Sequence, residues 1–163
     1  VEALAGRLAR DRVILGVHLQ AEDKRNRNPV IIEIDEVPFG DVVALARRHP
    51  RLTVMAFGLA RIGDVQTAGV LPEGYVGRLQ NMPEVEHRAD LPDNLYLDLS
   101  FFELEDSFTT ALKLFRPEQL LMGTHAPIFY PRPAPLKIQR STAPDGAKEA
   151  ALRGNARRIL GLS

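Results

Sequence analysis

Apolar and polar positions alternate between two patterns along this chain. Residues 12–19 (RVILGVHL) and 52–59 (LTVMAFGL) are continuous apolar runs, the form taken by strands buried on both faces. Residues 120–123 (LLMG) make a shorter run of the same kind. Residues 94–101 (NLYLDLSF) alternate instead, with Leu95, Leu97 and Leu99 on one side and Tyr96, Asp98 and Ser100 on the other, which predicts a strand of period two. Between these stretches the spacing becomes helical. Leu4 and Leu8 mark a helix in residues 1–10, and Val42, Leu45, Ala46 and His49 share a face in residues 41–49. Gly40-Asp41 opens the second of these and Pro50 stops it. Phe108, Ala111, Leu112 and Phe115 form a stripe in residues 105–115. Leu152, Ala156, Ile159 and Leu160 are expected to face inward from a closing helix at 148–160, with Gly161 as its stop. Residues 22–29 (EDKRNRNP) read as a polar loop, and residues 63–92 as a helix fragment followed by a long loop rich in glycine and proline. Residues 30–34 (VIIEI) have strand character without a clear place in the order.

Strand and helix repeated about four times is the signature of an α/β fold with a parallel sheet and crossover helices. Two architectures satisfy it. One is half of an eight-stranded (β/α)8 barrel, and the other is a small doubly wound sheet.

Composition narrows the class. The chain has 163 residues, 45% of them hydrophobic and 26% charged, as in one soluble globular domain. Lys plus Arg and Asp plus Glu are both 21, so the net charge is zero, and no basic excess points to nucleic acid or anionic lipid. The absence of cysteine excludes disulfides and thiol nucleophiles and fits a cytoplasmic location. No apolar run approaches the roughly 20 residues that span a bilayer. The first residue is Val1 rather than methionine, so residues 1–163 are expected to be a single domain that is a fragment or a processed product.

Candidate chemistry concentrates where the strands end. The stretch 120–127 (LLMGTHAP) closes an apolar strand on a glycine and then presents Thr124 and His125 before a proline. A titratable group at that end of a parallel strand sits where α/β barrels keep their active sites. His125 suits a general base or a metal ligand, because neutral imidazole serves both near pH 7. His18 ends the first apolar run, where a satisfied core histidine is the simpler reading. Asp98 lies within a strand and needs either a partner or a role. Glu22 and Arg25 follow the His18 strand, and Arg25 could bind a substrate carboxylate with Glu22 orienting it. A solvated mixed-charge loop explains that pair more simply. The acidic Glu33, Asp35 and Glu36 read as a solvated edge, and Arg153, Arg157 and Arg158 as a solvated helix face or subunit contact. No P-loop, dinucleotide fingerprint or nucleophile elbow occurs.

An ordered set of pieces also resembles a known family. A strand ending in His18, the sequence 46–50 (ARRHP) leading into the strand at 52–59, residues 96–100 (YLDLS), residues 121–127 (LMGTHAP) and residues 155–158 (NARR) are similar to strands five to eight of amidohydrolase-related metal-dependent hydrolases. The resemblance runs from Val13 to Leu162. It implies the C-terminal half of a TIM-like barrel acting on a small organic substrate, by hydrolysis or by non-oxidative decarboxylation. It also implies a divalent metal, zinc first, with His18 at the strand-five ligand position; His125 is the other ligand candidate and, with Asp98, a candidate for a catalytic role. Partners would be a small-molecule substrate and either a second copy or the missing barrel half. The chain departs from the family pattern at three points. The His-x-His pair of strand one is absent, the strand-six histidine aligns with Phe57 or Gly58, and the strand-eight aspartate is His125. These departures leave a second reading open, a non-catalytic barrel that binds a small molecule without metal.

Overall fold

Four short parallel strands take up the apolar runs. The computed structural model describes residues 1–20, 35–59, 62–71, 88–103, 106–127 and 129–162. The strands are β1 (Leu15–His18), β2 (Val54–Phe57), β3 (Leu95–Asp98) and β4 (Leu120–Leu121), in the spatial order β1-β2-β3-β4. The helices are α1 (Glu2–Asp11), α2 (Phe39–Arg48), α3 (Ile62–Thr67), α4 (Ser107–Leu114), α5 (Pro133–Gln139), α6 (Asp145–Glu149) and α7 (Asn155–Leu160).

That strand order decides between the two architectures. A doubly wound sheet reverses direction at a switch point, whereas here each strand is laid beside the last in a constant direction. Right-handed crossovers that never reverse keep their helices on one face, as in a barrel. The doubly wound alternative is therefore set aside. Burial agrees: Val54, Ala56, Leu95 and Leu97 are fully buried in one core with Val42, Ala46, Phe108, Ala111 and Leu114.

The opposite face of the sheet is open toward β1 and closed at β3, where Tyr96 and Asp98 are buried. Gly16 pairs with Met55 and Met55 with Tyr96, while His18 pairs with Phe57 and Asp98 with Leu121. Gly16 and His18 are exposed, and Met55 and Phe57 are half-buried. The expectation that residues 12–19 are buried on both faces fails for this reason. β1 is one of the two end strands of the sheet, and within it only Leu15 and Val17 pack against the core, in part.

Two further differences concern helices. Leu4 is exposed, and α1 buries Ala5 instead. The closing helix is interrupted by a π-helical turn at Ala150–Gly154, which changes the face it presents. Ala151 and Asn155 are buried there, while Leu160 is exposed. Asn155 donates from Nδ2 to the carbonyls of Pro117 (2.7 Å) and Leu120 (2.9 Å), and the Met122 N–H donates to the Ala151 carbonyl at 2.9 Å. The π turn and α7 thus anchor β4 and the loop that follows it. Among the described residues no helix is long and apolar enough to cross a membrane.

Candidate active site at the strand ends

One cavity at the carboxyl ends of the sheet takes its walls from three strands and the segment that follows the fourth. It encloses about 410 Å³ and is lined by His18, Phe57 and Asp98, the last residues of β1, β2 and β3, together with Ser100 and residues 123–126 after β4. The His18 and His125 rings stand edge to face with centroids 6.2 Å apart. His18 is exposed and lines this cavity, so the simpler reading of it as a core histidine is overturned. Its strand ends the sheet and leaves Gly16 and His18 exposed beside Phe57, which the apolar composition of residues 12–19 did not reveal.

Each side chain is set by local packing. Phe57 stacks on His18 at 4.9 Å. Gly58 follows with φ +80°, a left-handed conformation that glycine adopts without strain, so Phe57 and not Gly58 faces the cavity. Asp98 is buried, and its Oδ1 accepts hydrogen bonds from the Ser100 N–H at 3.0 Å and from the Ser100 hydroxyl. Its other oxygen leans over Gly123, where an added Cβ would lie 1.4 Å from Oδ2. Glycine is required there to let the carboxylate approach the chain after β4.

His125 sits in the left-handed region at φ +50°, uncommon for a residue with a Cβ and concentrated at functional sites. Its ring is packed against Phe101 (4.4 Å) and Phe129 (5.4 Å). Nε2 is buried without a hydrogen-bond partner among the described residues. Burial holds the imidazole below its ordinary pKa, the nearby His18 adds to the effect, and Asp98 opposes it. The ring is therefore neutral at pH 7 and able to accept a proton or a metal.

A catalytic zinc takes three protein ligands at about 2.0–2.1 Å and keeps one position open, and two imidazoles on one such ion stand about 5 Å apart between centroids. The 6.2 Å found here is about an ångström wide. Among the described residues no group of three His, Cys, Asp or Glu could hold a metal ion. His18 and His125 are thus two candidate donors that stand too far apart as placed and do not complete a centre.

Of the other sequence candidates, Glu22, Arg25 and Glu33, with the strand-like residues 30–34, lie outside the described residues. Arg153 pairs with Glu149, and Arg158 donates to the Glu118 carbonyl at 2.8 Å and lies over the Tyr96 ring. Those roles are structural. The sequence reading missed Phe101 and Phe129 beside His125. Their only signal was aromatic character within a few residues of the strand ends.

The chain matches no protein-family model and no curated protein. Solved structures do resemble it. The 5-carboxyvanillate decarboxylase from Sphingomonas paucimobilis superposes with a TM-score of 0.62 at 17% identity, covering 98% of this chain and 52% of its own. The 2,6-dihydroxybenzoate decarboxylase from Rhizobium gives 0.59 at 14%, covering 98% and 55%. An amidohydrolase from Mycobacterium avium subsp. paratuberculosis K-10 gives 0.60 at 16%, covering 99% and 45%. The chain spans about half the length of these structures. They are TIM-barrel members of the amidohydrolase superfamily, so the expected likeness and the barrel-type α/β fold are borne out.

Proposed function

We propose that this chain forms one sector of an amidohydrolase-like barrel that transforms a small organic substrate, by hydrolysis or non-oxidative decarboxylation, at the mouth framed by His18, Asp98 and His125. The observation that carries the proposal is the meeting of two imidazoles on one cavity at the carboxyl ends of parallel strands. That edge is where barrel enzymes of many chemistries place their reacting groups. Neutral His125 is the proposed base, taking the proton from an attacking water in hydrolysis. In decarboxylation the same ring, once protonated, returns a proton to the carbon that has lost carbon dioxide. Asp98, fixed by Ser100, is the proposed second polar group. Glu22 and Arg25 are proposed to meet a substrate carboxylate. A divalent metal, zinc foremost, would be held by His18, and by His125 only in place of its role as base, with further donors supplied from outside the described residues. Closing the mouth takes more strands, from a second copy or from the other half of a barrel.

The test uses protein purified without chelator. Its metal content is measured, and it is incubated with 5-carboxyvanillate, 2,6-dihydroxybenzoate and a panel of aromatic amides, with and without added zinc or manganese. Turnover that falls by about 10²–10⁴-fold in His125→Ala is expected. Protein that carries no metal and turns over nothing with or without added metal defeats the proposal.

One observation favours the metal-free binding barrel as a second reading. Phe57 occupies the strand-six position at the cavity and covers one face of His18. That reading expects NMR shift changes at Thr124 and His125 on adding the same carboxylates, with no product formed.

A further inference from the structure

Lys137 reaches the site from behind. It projects from α5, and its Nζ donates to the carbonyls of Leu99 (2.6 Å) and Phe102 (3.2 Å), the two ends of the turn that follows β3. The Phe102 N–H closes the same turn on the Leu99 carbonyl at 3.2 Å. Between these two anchored ends lie Ser100, which donates twice to Asp98, and Phe101, whose ring stands 4.4 Å from that of His125.

We propose that Lys137 is a positioning residue of the candidate site, its ammonium pinning the 99–102 turn so that Ser100 orients Asp98 and Phe101 packs His125. The inference rests on reading that cavity as the active site. Charge chemistry supports it. Burial draws the Lys137 ammonium below its ordinary pKa, with Asp98 and Glu103 opposing the shift. A charged group in a half-buried place needs compensating contacts, and two backbone carbonyls supply them here. An ammonium is a compact donor with three hydrogens, suited to serving two carbonyls at once.

The test is NMR of isotope-labelled wild type, Lys137→Met and Lys137→Arg, without substrate or metal. Wild type and K137R should show cross-relaxation between the Phe101 and His125 rings and a Ser100 amide shifted downfield by its carboxylate acceptor. Folded K137M should lose most of the ring-to-ring signal, and its Ser100 amide should move upfield. Folded K137M with both signatures intact overturns the proposal. If K137M does not fold, Lys137→Gln, shorter and uncharged, decides on the same signals. Wild type alone provides a check, because a Lys137 ammonium whose protons exchange with water as fast as a free lysine's also overturns it. Failure of turnover beside intact signatures would count against the functional reading only. Signatures unmoved by K137M would count against the positioning role only.

Discussion

Gly123→Ala is the sharpest probe of how the site is built, because its effect should change sign with its neighbour. A Cβ at residue 123 would lie 1.4 Å from Asp98 Oδ2, 2.5 Å from Cγ and 3.0 Å from Oδ1. No such approach is tolerated, so the carboxylate has to swing away. On its other side Asp98 is held by two hydrogen bonds from Ser100. Bonds to a charged acceptor contribute about 1.5–3 kcal/mol each, so losing both sets an upper bound of about 3–6 kcal/mol. Swinging into the adjacent cavity restores hydration, which brings the expected cost near the overpacking range of about 1–3 kcal/mol. Residue 123 is not in the left-handed region, so alanine adds no backbone strain. In an Asp98→Ala background the clash partner is gone, and replacing glycine should stabilise by about 0.4–1 kcal/mol through the unfolded chain. Urea unfolding of the four proteins of this double-mutant cycle, followed by circular dichroism, measures the coupling. Equal costs of G123A in the two backgrounds would refute the account.

Three further outcomes are expected. Asn155→Ala removes two donors from the carbonyls of Pro117 and Leu120 and should cost about 1–3 kcal/mol in a denaturant titration, with β4 loosened first. Because burial holds folded His125 below its ordinary 6.5, the unfolded chain takes the proton first, so stability should fall as pH drops from 6.5 through the lowered value. Melting temperatures across that window should show the fall in wild type and a reduced fall in His125→Gln. Glu2 is held below its ordinary 4.5 by hydrogen bonds from His49 and then Arg48, so its tie between α1 and the end of α2 is complete above 4.5 and lost as pH falls through the lowered value. Glu2→Gln should blunt that acid-side loss in the same melts.

The parts of the fold legible in the sequence are those where one pattern has one cause. Leu95, Leu97 and Leu99 alternate because one face of β3 meets the helices, and the helical stripe of Phe108, Ala111 and Phe115 meets that face. The parts misread are those where pattern cannot report what lies opposite. The run at 12–19 looks like a central strand, yet β1 ends the sheet, and this is why His18 is exposed and lines a cavity. In the closing helix the π turn brings in Ala151 and Asn155 and leaves Leu160 outside, a change that no period-3.6 reading anticipates. Lys137 was invisible for a related reason. Its role depends on carbonyls 35 and 38 residues away. His125 was found because a chain signal, the glycine ending an apolar run before His-Ala-Pro, coincides with the place where strand ends gather.

What separates a catalytic site from an inherited pocket here is Phe57. A Cβ on Gly16 would meet the Phe57 ring at 2.8 Å, so this ring leans across β1 and rests on the glycine beneath it. From there it stacks on His18 and fixes how far that imidazole turns toward His125. The residue standing where a third nitrogen donor was expected therefore also sets the direction of the first. Aromatic stacking contributes about 0.5–1.5 kcal/mol beyond area burial, comparable to the energy that holds a half-exposed side chain in one rotamer. Among the described residues His18 is braced by an apolar neighbour, whereas a metal-bound histidine usually donates to a carboxylate, carbonyl or water. His125 is packed in the same manner, between Phe101 and Phe129. Burial beside Phe101 and Phe129 holds the His125 imidazole below its ordinary pKa, which supports its proposed role as the base, while a metal at His18 would need donors from outside the described residues.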